Sequence, residues 1–452
     1  MFAATPHALL ATFGLKPDIL AGPTNQPIAS ELNSSARTMR MFTVQHNRPF
    51  RLILCWKRIG EPLYNRDAVW RDDQKVICLH RPKKSSPMTD TSLAAITPAT
   101  PLATVLESSA TPPAQAAYRG VLTPPVLDAP ATEIAALTQG AAVHDLGWLR
   151  RVAVRGEDRF RWLGGMVTNM VAELAPNAGA WNLVLNAQGR IQGDLHVWRE
   201  DDQLELVIAA DQYEKLIAHL EHFIVMDDVE LATLEGESAL GLTGPKADDV
   251  LTRMSLPTLA EPFTSTRVEW NGFDLRIVRA YCALVPHYEL WTAAAGISRL
   301  WKSLRTAGAI RVGTTSLEAF RIAEGIPVYG VDMAERDLPQ ETSQLRALHF
   351  NKGCYLGQEI VERIRSRGAV HRHLRSLELD GPLPEPGTEL TLNGAPAGQI
   401  TSAATLQLPS GNRTFAMAMI RGEAEIGNKP LSYAAGAATG AAQILAAPPE
   451  LR

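Results

Sequence analysis

Lys352-Gly353-Cys354-Tyr355-Leu356-Gly357-Gln358-Glu359 is the stretch on which the fold of this chain is decided. It runs into Ile360–Arg367, where Glu359 and Arg363, four residues apart, would share one face of a helix. Gly353 gives the backbone freedom to turn just ahead of that helix. A cysteine in a first helical turn has its thiolate stabilised by free amide N–H groups and by nearby cations. Cys354, with Lys352 and several arginines beside it, is therefore the best candidate for a reactive thiol. The competing reading is a small buried hydrophobe.

Around this stretch lies a chain of 452 residues, 46% hydrophobic and 20% charged, enough for two or three domains with cores of their own. No run reaches the roughly 18 to 20 uninterrupted apolar residues of a membrane span, so no membrane role is expected. A net charge of -4 argues against a general nucleic-acid binder, which needs a basic face. Cys55, Cys78, Cys282 and Cys354 lack the close spacing of a zinc or cluster site. They fit a reducing, cytoplasmic setting, and any link to an iron-sulfur cluster would have to be indirect or shared. His196, His287 and His371 likewise lack the spacing of metal ligands, so no metal site is expected.

Residues 1–87 carry 13 Lys+Arg against 6 Asp+Glu, the opposite balance to the rest, and show little sustained period. With a Thr/Ala/Pro/Ser-rich run after Met88, residues 1–117 read as a poorly structured or extraneous extension, with Met88 as the true start. Leu149–Val154 alternates like a strand and leads into a helix through Phe160, Leu163 and Val167. Trp181–Leu185 and Ile191–Trp198 form a hairpin across Asn186-Ala187-Gln188-Gly189. Leu204–Ala209 reads as a strand, Gln212–Phe223 as a helix and Val229–Leu234 as another strand. Similar alternation from Ala239 to Leu304 suggests two like α+β units in tandem. The expected domains are 118–238, 239–373, a small β-barrel at 374–435, and a tail at 436–452 without chemistry.

The Lys352–Glu359 run resembles the KGCYxGQE signature of the YgfZ-like folate-binding proteins, and Arg363, Arg367-Gly368 and His371-Arg372 continue the resemblance. Upstream, Arg321-Ile322-Ala323-Glu324-Gly325-Ile326-Pro327 and Gly330-Val331-Asp332 look like a region this family shares with aminomethyltransferase. There a carboxylate meets the pterin, whose amino group and ring N–H suit a carboxylate oxygen pair. Glu324 is the residue expected to fill that role. Gly189–Val197 resembles the stretch that presents paired aspartates to folate; only Asp194 is present, and Gly193 holds the first position. Ala142–Leu146 and Phe160–Asn169 add support without chemistry, and Met170 stands where relatives commonly carry Asp.

The resemblance implies an aminomethyltransferase-like folate-binding fold of class α+β, with two partly ferredoxin-like domains, a C-terminal β-barrel and a central cavity. It implies tetrahydrofolate or a one-carbon derivative as ligand, and iron-sulfur client or assembly proteins as partners. Lys352, Arg363, Arg365 and Arg372 are expected to offer positive charge to a polyglutamate tail, or to pair with Glu359 and Glu362. Two further functions stay open: a folate-dependent aminomethyltransferase or other one-carbon transferase, and a noncatalytic folate-sensing scaffold. Clients and oligomeric state are not legible.

Overall fold

The structure, a computed structural model, describes residues 97–368 and 370–451, together with the backbone of five short strands between residues 31 and 76. The latter belong to a separate compact unit, Met1–Ser92. Within it Glu31–Ser34, Arg37–Phe42 and Ile53–Lys57 form an antiparallel sheet. The proposed start at Met88 lies outside the described residues.

In the larger unit the alternating segments become strands and the 3.6-periodic ones helices. The first sheet has the order Gly179–Leu185, Ile191–Arg199, Leu204–Ala209, Leu149–Arg155, Glu230–Thr233. Its apolar face, with Leu195 and Val197, packs under helices Arg159–Met166 and Ala210–Glu221 through Leu163, Leu216 and Leu220. The second sheet runs Thr264–Trp270, Phe273–Arg279, His287–Ala293, Glu237–Thr243, Ala142–Asp145, Ile310–Arg311. It packs on Ala247–Arg253 and Ile297–Thr306 through Val250, Leu251, Leu300 and Leu304.

Each unit follows one scheme: strand, helix, hairpin, strand, helix, strand, with its strands in the same spatial order. The second differs by one guest, Ala142–Asp145, inserted beside Glu237–Thr243. That strand is buried along its whole length, and it precedes the first unit in the chain while pairing in the second. A division at residue 238 therefore does not describe the architecture: helix Pro130–Gln139 packs on helix Thr314–Glu324 and the barrel, while strand Ala142–Asp145 and helix Pro101–Glu107 pack with the second unit. Helix Pro101–Glu107 buries Leu102 and Leu106 in that core, so folded structure begins well before Tyr118.

The last six strands close a barrel in the order Arg372–Asp380, Gly411–Arg421, Ala395–Leu408, Glu389–Leu392, Leu431–Ala435, Ala438–Ile444. The final strand lies in the stretch read as a tail, where Ala and Gly give no alternation to see; it seals the barrel by pairing with Arg372–Asp380.

Helix Thr314–Glu324 joins the three layers. Phe320, Ile322 and Ala323 pack in one cluster with Leu183 and Ile191 of the first hairpin and with Leu406 and Met417 of the barrel. It ends at Gly325, whose φ of 81° is left-handed and whose missing Cβ leaves room for the Ser376 hydroxyl.

Candidate functional site

A cavity of about 250 Å³ opens between the two sheets and the end of helix Thr314–Glu324. Asp194 and His196 project from the first sheet, His144, Thr243 and His287 from the second, and Trp181, Phe263, Tyr281 and Phe320 supply aromatic surface.

Glu324 lies at its edge, 8% exposed. One oxygen accepts the Ala283 N–H at 2.7 Å, and burial pushes the carboxyl up to about 7. Cys282 also lines the cavity, and burial followed by the negative charge of Glu324 pushes its thiol up to about 12. Nearby Arg346 lies over Tyr281 and Trp181, its guanidinium carbon 4.1 and 5.0 Å from the ring centres. It makes no ion pair among the described residues, and burial pulls its affinity for the proton down. Thr168 and Asn169 hold the turn that presents it: the Thr168 hydroxyl donates to the Ala347 carbonyl at 2.7 Å and the Asn169 amide to that of Arg346 at 2.9 Å. Nothing in the sequence around the Thr-Asn pair marks this role, because its partners lie nearly 180 residues away.

Asp194 faces the cavity and is held on both oxygens, by Trp181 Nε1 at 2.9 Å and Gln212 Nε2 at 3.0 Å. Gly193 points to the other face of its strand, as alternation demands. A Cβ there would meet Gln212 Oε1 at 2.7 Å and Leu216 at 2.8 Å. A side chain at 193 would thus enter the helix-covered core. The glycine instead leaves the space through which Gln212 reaches Asp194.

Three strands build the far wall. Gly241 lies opposite His144 and gives its ring the space a Cβ would fill, 1.9 Å from a ring carbon. His144 stacks on His287 at 5.8 Å, and the Thr243 hydroxyl bridges them at 2.9 and 2.7 Å. Burial holds His144 down near 4, His287 near 3 and His196 near 4, so all three rings are neutral at pH 7.

The other expected site residues lie elsewhere. Cys354 is exposed in a segment without regular structure, because the helix begins only at Gln358 with Gly357 as its cap. It is not in a first helical turn, and it does not line the cavity. Lys352 donates to the carbonyls of Gly164, Val167 and Asn169 at 2.8, 2.6 and 2.7 Å. All three of its protons are spent as a clamp. Arg363 is exposed on its helix; Arg365 pairs with Glu362 at 3.5 Å and covers Phe350. Arg372 is bound by Asp337 and Glu341 at 2.7 and 2.9 Å, on a second, charged cleft against the barrel. None of these cations reaches the cavity wall. The sequence places Glu324 and Asp194 there, and misses Cys282, Tyr281 and Arg346.

A tandem α+β repeat closed by a barrel, with a ligand-sized cavity between the repeats, defines the architectural class. The chain belongs to the family of the GCVT N-terminal domain, whose model matches residues 114–352. Its fold is that of the glycine cleavage system aminomethyltransferase T from Bartonella henselae: TM-score 0.71, 20% identity, covering 79% of this chain and 99% of that one. A chloroplastic protein of Arabidopsis thaliana, named as a presumptive transferase, is 27% identical over 65% of this chain and 68% of its own length. The aminomethyltransferase of Geobacillus kaustophilus (strain HTA426) is 28% identical over 63% of this chain and 80% of its own. Among the described residues no helix is long and apolar enough to cross a membrane, and no group of three His, Cys, Asp or Glu could hold a metal ion.

Proposed function

We propose that this protein binds a reduced folate, tetrahydrofolate or a one-carbon derivative, in the cavity between its repeats, and that it serves the assembly or repair of iron-sulfur enzymes as a YgfZ-like accessory protein. The observation that carries the folate reading is Glu324, a buried carboxylate set among aromatic walls. A pterin offers adjacent N–H donors for its oxygens and a flat ring for Tyr281, Phe263 or Trp181. Asp194, fixed by Trp181 and Gln212, is a second acceptor for a ligand N–H.

Support for the accessory role comes from the resemblance around Cys354 and from the exposure of that thiol. An exposed cysteine outside the ligand cavity is placed to meet a client's thiol, a persulfide or a cluster. Ligand binding and thiol chemistry then belong to separate places on the protein. Arg363, exposed on the following helix, is left to contact the client. Lys352 and Arg372 hold the surrounding loops.

Two measurements test the reading. Tetrahydrofolate should quench the tryptophan fluorescence of the full chain, and Glu324→Gln should abolish that response; equal quenching in the variant would overturn the pterin assignment. Cys354→Ser should fail to restore iron-sulfur client activity in a strain lacking the protein. Rescue as complete as wild type would remove the thiol role.

A specific observation favours a second reading, a folate-dependent aminomethyltransferase: Asp194 is immobilised facing the cavity, and Gly193, pointing into the core, is no lost cavity carboxylate. Formation of methylenetetrahydrofolate from an aminomethyl-lipoyl donor by purified protein would establish it.

A further inference from the structure

Arg421 stands directly opposite Arg372 on the neighbouring barrel strand. Like charges in such register, roughly 5 Å apart in backbone spacing, destabilise a sheet unless a counter-charge is at hand. Arg372 has two, Asp337 at 2.7 Å and Glu341 at 2.9 Å. The exposed Arg421 side chain has no ion pair or hydrogen bond among the described residues. Both arginines line the cleft of about 350 Å³ between the barrel and the loop 331–337. Arg336 enters the same cleft from that loop, its side chain 75% exposed and the Asp337 carboxylate 3.9 Å away.

The acids that line the cleft do not supply the missing counter-charge. Asp332 is taken up by Arg321 at 2.7 Å, by the Val328 N–H at 3.0 Å and by the hydroxyls of Thr401 and Ser402, each at 2.6 Å. Asp337 accepts the Ala334 N–H at 2.7 Å in addition to Arg372. Glu389 lies two strands and two residues from Arg421, along the register Glu389, Gln399, Met419, or roughly 12 Å in backbone spacing. Two guanidiniums, one from the loop and one from the barrel, therefore share a hollow in which their donors are largely unspent.

We propose that this cleft binds a small oxyanion ligand, a carboxylate or a phosphate, gripped between Arg336 and Arg421. Each guanidinium offers a planar fork that matches a pair of anionic oxygens. A bound anion also supplies the counter-charge that Arg421 lacks beside Arg372, and Glu389 confines the negative end of the ligand to the arginine side. The site is independent of the folate reading, since no residue lines both this cleft and the cavity between the repeats.

The probes are inorganic phosphate and succinate, added to the full chain at constant ionic strength with chloride as the balancing anion. Binding is followed by nitrogen-15 NMR of the arginine side-chain Nε–H groups, each assigned through its own backbone. The expected result is a saturable shift of the Arg336 and Arg421 signals in the wild-type protein. Saturation by phosphate alone or by succinate alone tells which oxyanion the cleft takes. Arg421→Gln, read at Arg336, and Arg336→Gln, read at Arg421, should each weaken binding on the order of tenfold or more, as loss of a charge-assisted hydrogen bond does. Arg305→Gln, which removes an exposed arginine from helix Ile297–Thr306, should leave the affinity unchanged. Failure of both anions to saturate these two signals in wild-type protein overturns the proposal whatever the variants' folding. Equal weakening by Arg305→Gln does the same, because the attraction would then be that of any surface cation.

Discussion

In the proposed folate site, one proton on Glu324 links ligand recognition to stability. Burial raises its carboxyl to about 7, so between the ordinary glutamate range and that value the folded chain holds a proton the unfolded chain has released. Stability contributed at this site therefore falls as pH rises through the window. A ligand that donates N–H groups to the ionised carboxylate works against that trend, and its affinity should climb over the same range. Glu324→Gln removes both effects. The variant should lose less thermal stability than wild type between pH 5 and pH 8, and its affinity for tetrahydrofolate should drop on the order of a hundredfold, about 3 kcal/mol for a charged, buried hydrogen-bond acceptor. Parallel melting curves of the two proteins at both pH values check the first part, titration calorimetry the second. Residue roles were legible only where a local pattern carried them. Glu324 and Asp194 sit in recognisable runs, whereas Cys282 and Arg346 are brought to the cavity by the fold and by partners such as Asn169 that no spacing along the chain reveals.

At the scale of elements, the segment Lys352–Gly357 is mounted on the first repeat by three devices. Lys352 caps three carbonyls, the Leu356 N–H donates to the Gly165 carbonyl at 2.9 Å, and Gly357, at φ 82°, sits so close to the hairpin turn that a Cβ would meet the Asn186 carbonyl oxygen at 2.6 Å. The ammonium matters because its partners are half-buried carbonyls, which need donors once they leave water. Lys352→Met keeps the apolar stem and removes the donors. It should cost about 2 to 4 kcal/mol and accelerate hydrogen exchange at the Leu356 amide while amides of strand Ile191–Arg199 keep their protection. Unchanged exchange at Leu356 would show that the glycine contact alone holds the segment. Element types were largely readable: hairpin 181–198 and strand Leu204–Ala209 follow from alternation and a turn ending at Gly189, φ 69°. The cysteine's place was not, because the helix start depends on Gly357 taking a left-handed conformation against the hairpin. Nothing between residues 352 and 358 announces that contact.

At the scale of the whole molecule, the two repeats meet through charge as well as apolar packing. Arg151 of the first sheet pairs with Glu205 and with Glu237 of the second, while Arg276 of the second pairs with Glu205 at 2.7 Å and Glu200 at 2.6 Å. Each arginine also covers a tryptophan of the opposite sheet, Arg276 over Trp198 and Arg151 over Trp291. The tandem repeat behind this arrangement shows in strand order more clearly than in sequence, because the two units share topology while their facing residues differ and complement one another. Glu205 is the hub. Burial alone would raise its carboxyl, but Arg151 and Arg276 hold it below the usual range, so its stabilisation is present above the ordinary glutamate pKa and is lost as pH falls through the depressed value. Glu205→Gln would leave two guanidiniums, 3% and 1% exposed as residues, short of a counter-charge. A loss of about 3 to 5 kcal/mol is expected, the usual cost of removing one partner from a buried ion pair. The cavity lies at the same interface, so tetrahydrofolate affinity should fall with stability although Glu205 does not line it. Thermal unfolding with and without ligand checks both effects: a melting point within a degree of wild type would mean the repeats are held by Trp198, Val278 and Trp291, with the charges merely tolerated between them.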